Sequence, residues 1–144
     1  MGGGVSLIDG HIDELKDKRK VDFKMTKELK ISETLKELGI PANLTGYFEL
    51  KYAIEVTMQD IYLIHHITKK LYPMIATKFN ATPSKVERAI RHAIEVGWCR
   101  GNIELQNKLF GYTVDATKCK PTNSEFIGTV ADWLNMTCKE GDTE

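Results

Sequence analysis

Lys69–Arg100, KKLYPMIATKFNATPSKVERAIRHAIEVGWCR, reads as two helices joined by a tight turn. Ile75, Ala76 and Phe79 share one face of the first helix, and Ala76 is small enough for a second helix to cross closely. Asn80 follows, a residue that tolerates the left-handed conformation in which helices end. Thr82 can then cap a new helix, with Pro83 at its first position, where a missing N–H leaves nothing unpaired. Ser84 and Glu87 also have capping-box spacing, so the start is fixed only to within about two residues.

Val86, Ala89, Ile90, Ala93, Ile94, Gly97 and Trp98 form one apolar stripe along the second helix. The opposite face carries Ser84, Arg88, Arg91 and Glu95, with Lys85 and His92 on one flank and Glu87 on the other. This is the outline of a helix-turn-helix, in which the apolar side holds the helix and the charged side is offered to DNA. Arg can grip guanine O6 and N7 with two hydrogen bonds, and Glu can accept one from cytosine N4. A solvated face on an ordinary amphipathic helix would show the same periodicity. The turn, the capped start and the cations gathered in the first turns favour DNA.

The chain has 144 residues and formal net charge zero, from 20 Lys and Arg against 20 Asp and Glu. The balance hides an uneven distribution. Residues 1–60 hold nine cations and eleven anions, residues 61–100 seven and two, and residues 101–144 four and seven. The positive charge therefore gathers on the proposed reading unit. Local charge governs phosphate contact, because salt screens the remainder. No apolar run is long enough to span a bilayer and no secretory pattern is present, so a cytoplasmic protein away from membranes is expected. Cys99, Cys119 and Cys138 are widely spaced, with no Cys-x-x-Cys pair; reduced thiols and no structural metal are expected.

The fold class predicted is all-α, a compact bundle of about six helices containing the helix-turn-helix. Residues 1–30, with a glycine-rich start that resembles an expression scar and a Lys/Arg run at Lys16–Lys20, read as a flexible linker; residues 31–144 read as the domain. Ser32 is placed as the cap of a short helix ending at Leu38, with Gly39 as its stop and Pro41 as a break. Gly46–Asp60 and Ile61–Leu71 carry helical spacing, with a break near Gln59, and the next helix starts near Lys70–Tyr72. Ile103–Phe110 reads as a short helix closed by Gly111, and Thr113–Asn123 as a loop. Tyr112–Val114 is the one place for a small strand. Asn123 or Ser124 is expected to cap a last helix that reaches about Asn135.

His65-His66 stands out, but neighbours on a helix point about 100° apart and cannot readily share a metal. Glu87 and Glu95 lie among arginines without a nucleophile or metal motif, so catalysis is not expected and no cofactor is implied. Trp98 reads as a core anchor. Two competing readings keep a place: a helical protein-interaction module with a basic face, and a small metal protein or enzyme using His65, His66 or Cys99.

The segment SKVERAIRHAIEVGWCRGNIE, together with LGIPANLTGY, ITKKLYPMIATKFN, LFGYTV and KPTNSEFIGTVAD, strongly resembles the C-terminal effector domains of the stage-zero sporulation response regulators. The likeness runs from about Ile31 to Thr137. It implies an all-helical transcription factor domain that binds double-stranded DNA at a short promoter box with a guanine–cytosine core, often in tandem copies, and activates or represses sporulation genes. The family's base-reading positions fall on Lys85, Glu87, Arg88 and Arg91, and its backbone contacts on Thr82, Ser84, His92 and Lys139. The region after the reading helix, with Asn102, Glu104, Gln106 and Lys108, falls where the family meets the sigma subunit of RNA polymerase. Tandem boxes imply homodimer pairing on DNA, with the last helix as a candidate contact.

Lys85 stands where the family often has Arg, and a lysine lacks the planar two-pronged grip. The family also carries an N-terminal receiver domain. Asp9, Asp13 and Asp17 sit in the linker and do not resemble its phosphorylation pocket. The expectation is an effector part alone, binding DNA without phosphorylation.

Overall fold

The computed structural model describes residues 26–111 and 120–142, with side chains as far as residue 138. The chain divides into Met1–Lys30 and Ile31–Glu144. Every buried apolar residue among those described, from Ile31 to Leu134, lies in the second unit. Six α-helices and no strand occur among the described residues.

Helix α1 covers residues 26–37. It begins before Ser32, which sits mid-helix and caps nothing. The charge-rich run before residue 31 carries too little apolar periodicity to announce a helix, although it is built of good helix formers. Ile31, Leu35 and Leu38 are fully buried along one face. The helix closes with two bonds characteristic of a left-handed C-cap: Ile40 N–H donates to the Leu35 carbonyl at 2.9 Å and Gly39 N–H to that of Lys36 at 3.0 Å. Gly39 has φ +85°, as this cap requires.

Helix α2 (Thr45–Gln59) buries Gly46, Leu50, Ala53, Ile54, Thr57 and Met58 along one stripe. It packs on both the fourth and the sixth helices and forms the centre of the bundle. Asp60 breaks it in an extended conformation and caps the next turn, its carboxylate accepting from Tyr62 N–H at 3.1 Å. Ile61–His66 then winds as a tight 3₁₀ segment and Ile67–Leu71 as a wide π segment. The sequence reads as one continuing helix here, because the apolar spacing persists while the hydrogen-bond step changes.

Helices α3 (Tyr72–Phe79) and α4 (Pro83–Arg100) form the predicted pair, and α5 (Ile103–Phe110) ends at Gly111 as the sequence indicates. The buried face of α3 is Tyr72, Ile75 and Ala76. Phe79 departs from expectation: it is half-exposed, its ring edge-on to Tyr52 at 6.0 Å. Helix α6 (Asn123–Asp142) runs well past Asn135. Thr122, rather than Asn123 or Ser124, caps it: its hydroxyl accepts from Glu125 N–H at 3.2 Å and its carbonyl from Phe126 N–H at 2.9 Å. Thr122-x-x-Glu125 is a capping-box spacing, so the sequence did hold this signal. Phe126, Ile127, Val130, Ala131 and Leu134 line the buried face of α6. Phe110 stacks on Phe126 at 5.6 Å and meets Trp98 edge-on at 5.1 Å, which makes Trp98 the anchor of the α4 C-terminus. The strand expected at 112–114, most of the loop expected over 113–123 and the linker up to residue 25 lie outside the described residues.

Candidate nucleic-acid interface

Helices α3 and α4 are set by local chemistry. Asn80 takes φ 53° and ψ 50°, and the carbonyl of Ala76 accepts from the N–H groups of both Asn80 and Ala81. Three residues later the chain is helical again. Thr82 is extended, its hydroxyl accepts from Lys85 N–H at 3.3 Å, and Pro83 fills the first helical position. Of the two starts open from sequence, Thr82 is the one used.

Val86, Ile90, Ala93, Ile94 and Gly97 bury the inner stripe of α4. The outer stripe is free to meet a partner: Ser84, Lys85, Arg88, Arg91 and His92 are all exposed, and Glu87 is half-exposed. Arg91 is paired with Glu87 one turn earlier at 2.9 Å, with the arginine side chain still 53% accessible. Such an exposed pair adds little stability, but it holds the guanidinium and the carboxylate side by side along the helix. Arg88 Nε donates to the Ser84 carbonyl at 3.5 Å, a long and weak bond. Thr82 keeps a hydroxyl proton to donate while its oxygen caps the helix.

A family model described as Sporulation initiation factor Spo0A C terminal matches residues 31–134. The chain belongs to this family. The Spo0A C-terminal domain is a DNA-binding domain of a sporulation transcription regulator. The match begins at the residue where the buried core begins.

Within this Spo0A C-terminal fold the remaining predicted residues separate clearly. Glu95 is engaged elsewhere: Lys120, just before α6, donates to its carboxylate. That hydrogen bond is the main reason its carboxyl lies below the ordinary range, against the opposing effect of desolvation. Sequence spacing could not show this, because the partner is 25 residues away. Asn123 was read as a cap and is instead a tertiary link. Its side-chain amide donates to the Tyr72 hydroxyl at 3.0 Å and to the Glu87 carbonyl at 3.1 Å. Lys139 lies beyond the described side chains.

In the segment after α4, Asn102 caps α5 through its carbonyl oxygen, which accepts from Glu104 N–H at 2.9 Å and Leu105 N–H at 3.3 Å. Glu104 and Lys108 are exposed. Gln106 is not: it is buried, and its amide donates to the Trp98 carbonyl at 3.2 Å. Its side chain ties α5 to the end of α4 and cannot serve as a surface contact. The exposed apolar group beside Glu104 is Ile103, 70% accessible, which the sequence reading passed over.

His65 and His66 are both exposed on the 3₁₀ segment. Among the described residues no group of His, Cys, Asp or Glu is arranged to hold a metal ion. Among them, too, no helix is long and apolar enough to cross a membrane.

Proposed function

We propose that this domain reads a short promoter box by laying the outer face of α4 in the major groove. Lys85, Glu87, Arg88 and Arg91 meet base edges, while Thr82, Ser84 and His92 meet the flanking phosphates. The observation that carries the reading is the exposure of Ser84, Lys85, Arg88, Arg91 and His92, with Glu87 half-exposed among them, on a helix whose opposite face is locked into the core. The chemistry suits a guanine–cytosine core. Arg88 and Arg91 can each offer two parallel donors to guanine, and Glu87 can accept from the cytosine amine of a neighbouring pair. Because Glu87 and Arg91 are already side by side, they can be offered as a donor–acceptor unit with little ordering cost on binding.

The same reading makes the domain an activator or repressor according to where its box lies. Asn102, Glu104 and Lys108 offer a polar ridge on α5 to the sigma subunit of RNA polymerase, with Gln106 removed from the contact set. Copies bound head to tail on tandem boxes would meet through α6.

Arg88→Ala tests the reading directly. It should cost about 1–3 kcal/mol of binding to the preferred box and relax the preference at one base pair. The melting temperature should stay close to that of the parent, since Arg88 is exposed and weakly held. Fluorescence anisotropy titrations against box and scrambled duplexes at one salt concentration give both numbers. Parent-like box affinity in the variant contradicts the reading. Equal affinity of the parent for both duplexes would instead support a helical protein-interaction module.

A further inference from the structure

We propose that Asn123 and Tyr72 form a brace that sets the angle at which α4 presents its reading residues, so that they govern base preference without touching DNA. The proposal rests on the reading of α4 given above and extends it to two buried residues. Asn123, in the first turn of α6, is 9% exposed, and Tyr72, the first residue of α3, is 7% exposed. One side-chain amide donates to both the Tyr72 hydroxyl and the Glu87 main-chain carbonyl. Three helices therefore meet at a single polar node. That node sits on the backbone of Glu87, between Lys85 and Arg88, within the proposed base-reading set.

The apolar stripe of α4 packs closely on α2 and sets its depth and crossing angle, and the polar node adds a directional contact on the side of α4 that faces α3 and α6. Hydrogen bonds are directional, and a buried one in a low-dielectric setting holds its partners closely. Burial of the phenol, which pushes the Tyr72 pKa up, keeps it a neutral donor and acceptor across the working pH range. The Glu95–Lys120 pair is a second link between the same two regions, but it is exposed, and so gives way more readily. The brace borders a pocket of about 470 Å³ lined by Ile67, Tyr72, Arg91, Lys120 and Pro121.

A small change in helix angle moves the guanidinium groups off the base edges but leaves them near phosphate. Specific binding should therefore suffer and non-specific binding should not. The test uses Asn123→Leu, uncharged and close in shape, and Tyr72→Phe, which removes one of the two bonds and adds no volume. Arg88→Ala serves as the control. Box and scrambled duplexes are titrated with the full chain over a range of salt. Asn123→Leu should lower the box-to-scrambled preference about tenfold, the size of one misplaced base contact. Tyr72→Phe should lower it by a smaller factor, with scrambled-DNA affinity and salt dependence unchanged in both. Asn123→Gln, which restores the donor on a longer arm, should recover part of the preference. If Arg88→Ala lowers the preference while folded Asn123→Leu and Tyr72→Phe keep the parent value, the brace is wrong and the reading of α4 stands. Should Asn123→Leu fail to fold, Tyr72→Phe alone decides. An equal fall on both duplexes also overturns the proposal, since that is a merely structural loss. If Arg88→Ala itself changes nothing, the reading beneath the brace has failed.

Discussion

Asn80 carries the bend between α3 and α4 on its own backbone. Its φ of 53° lies in the left-handed region, and it is the one described residue other than glycine with positive φ. Asn bears that conformation better than other side chains, whereas a β-branched residue meets its own carbonyl. Asn80→Val should destabilise the domain by about 1–2 kcal/mol, and Asn80→Gly should be neutral or mildly stabilising. Urea titration of both variants checks this, and equal midpoints would show that the turn conformation is not needed. The turn was legible because its signals are local: Asn80, Thr82 and Pro83 each act on their own backbone. Asn123 was not legible at the same scale. Its neighbours Thr122 and Glu125 provide the cap, and its amide is drawn away by Tyr72, 51 residues distant. No spacing rule reports such a pull.

At the scale of elements, α2 decides how closely the reading helix is held. A side-chain carbon on Gly46 would lie 2.2 Å from the Ala89 carbonyl oxygen and 3.1 Å from the Ala93 side chain. The first of these is backbone and cannot yield, so Gly46→Ala must push α2 off α4. A loss of at least about 2 kcal/mol is expected, larger than the usual effect of one added methyl, with a matching drop in melting temperature. A parent-like melt would mean the crossing is looser than the structure has it. Helix α2 also buries Glu49, 2% exposed, with no hydrogen-bond partner for Oε2 among the described residues. Burial pushes its carboxyl pKa above the ordinary value, so the folded chain keeps a proton that the unfolded chain releases. The stability this brings is complete below the unfolded carboxylate range and is lost as pH rises through the raised folded value. Glu49→Gln takes no charge. It should therefore melt above the parent at neutral pH and match it in mild acid; a pH-independent difference between the two would rule the burial effect out. The apolar stripes of α2, α4 and α6 were readable because periodicity reports one-sided burial directly. The switch to 3₁₀ and π winding at Ile61–Leu71 was hidden for the same reason, since both windings keep an apolar residue every three to five positions.

For the whole molecule, a neutral chain carries a local excess of positive charge on the unit that includes α3 and α4. A concentrated charge of this kind draws DNA in and leaves sequence choice to the few side chains that reach base edges. The all-helical class and the position of the α3–α4 pair followed from pattern alone. Which polar residues stay free on the surface did not, because exposure is a tertiary property: by spacing Gln106 and Glu95 are as available as Glu104 and Arg88, but Gln106 bonds to the end of α4 and Glu95 pairs with Lys120. The central claim is that the outward face of α4 recognises base edges. The most direct measurement is a selection from random duplexes at one fixed salt concentration, run in parallel with the parent chain and Arg88→Ala. The account predicts a single short motif with a guanine–cytosine core for the parent, and the same motif with one position made degenerate for the variant. No enriched motif, or an identical motif from both chains, would contradict it.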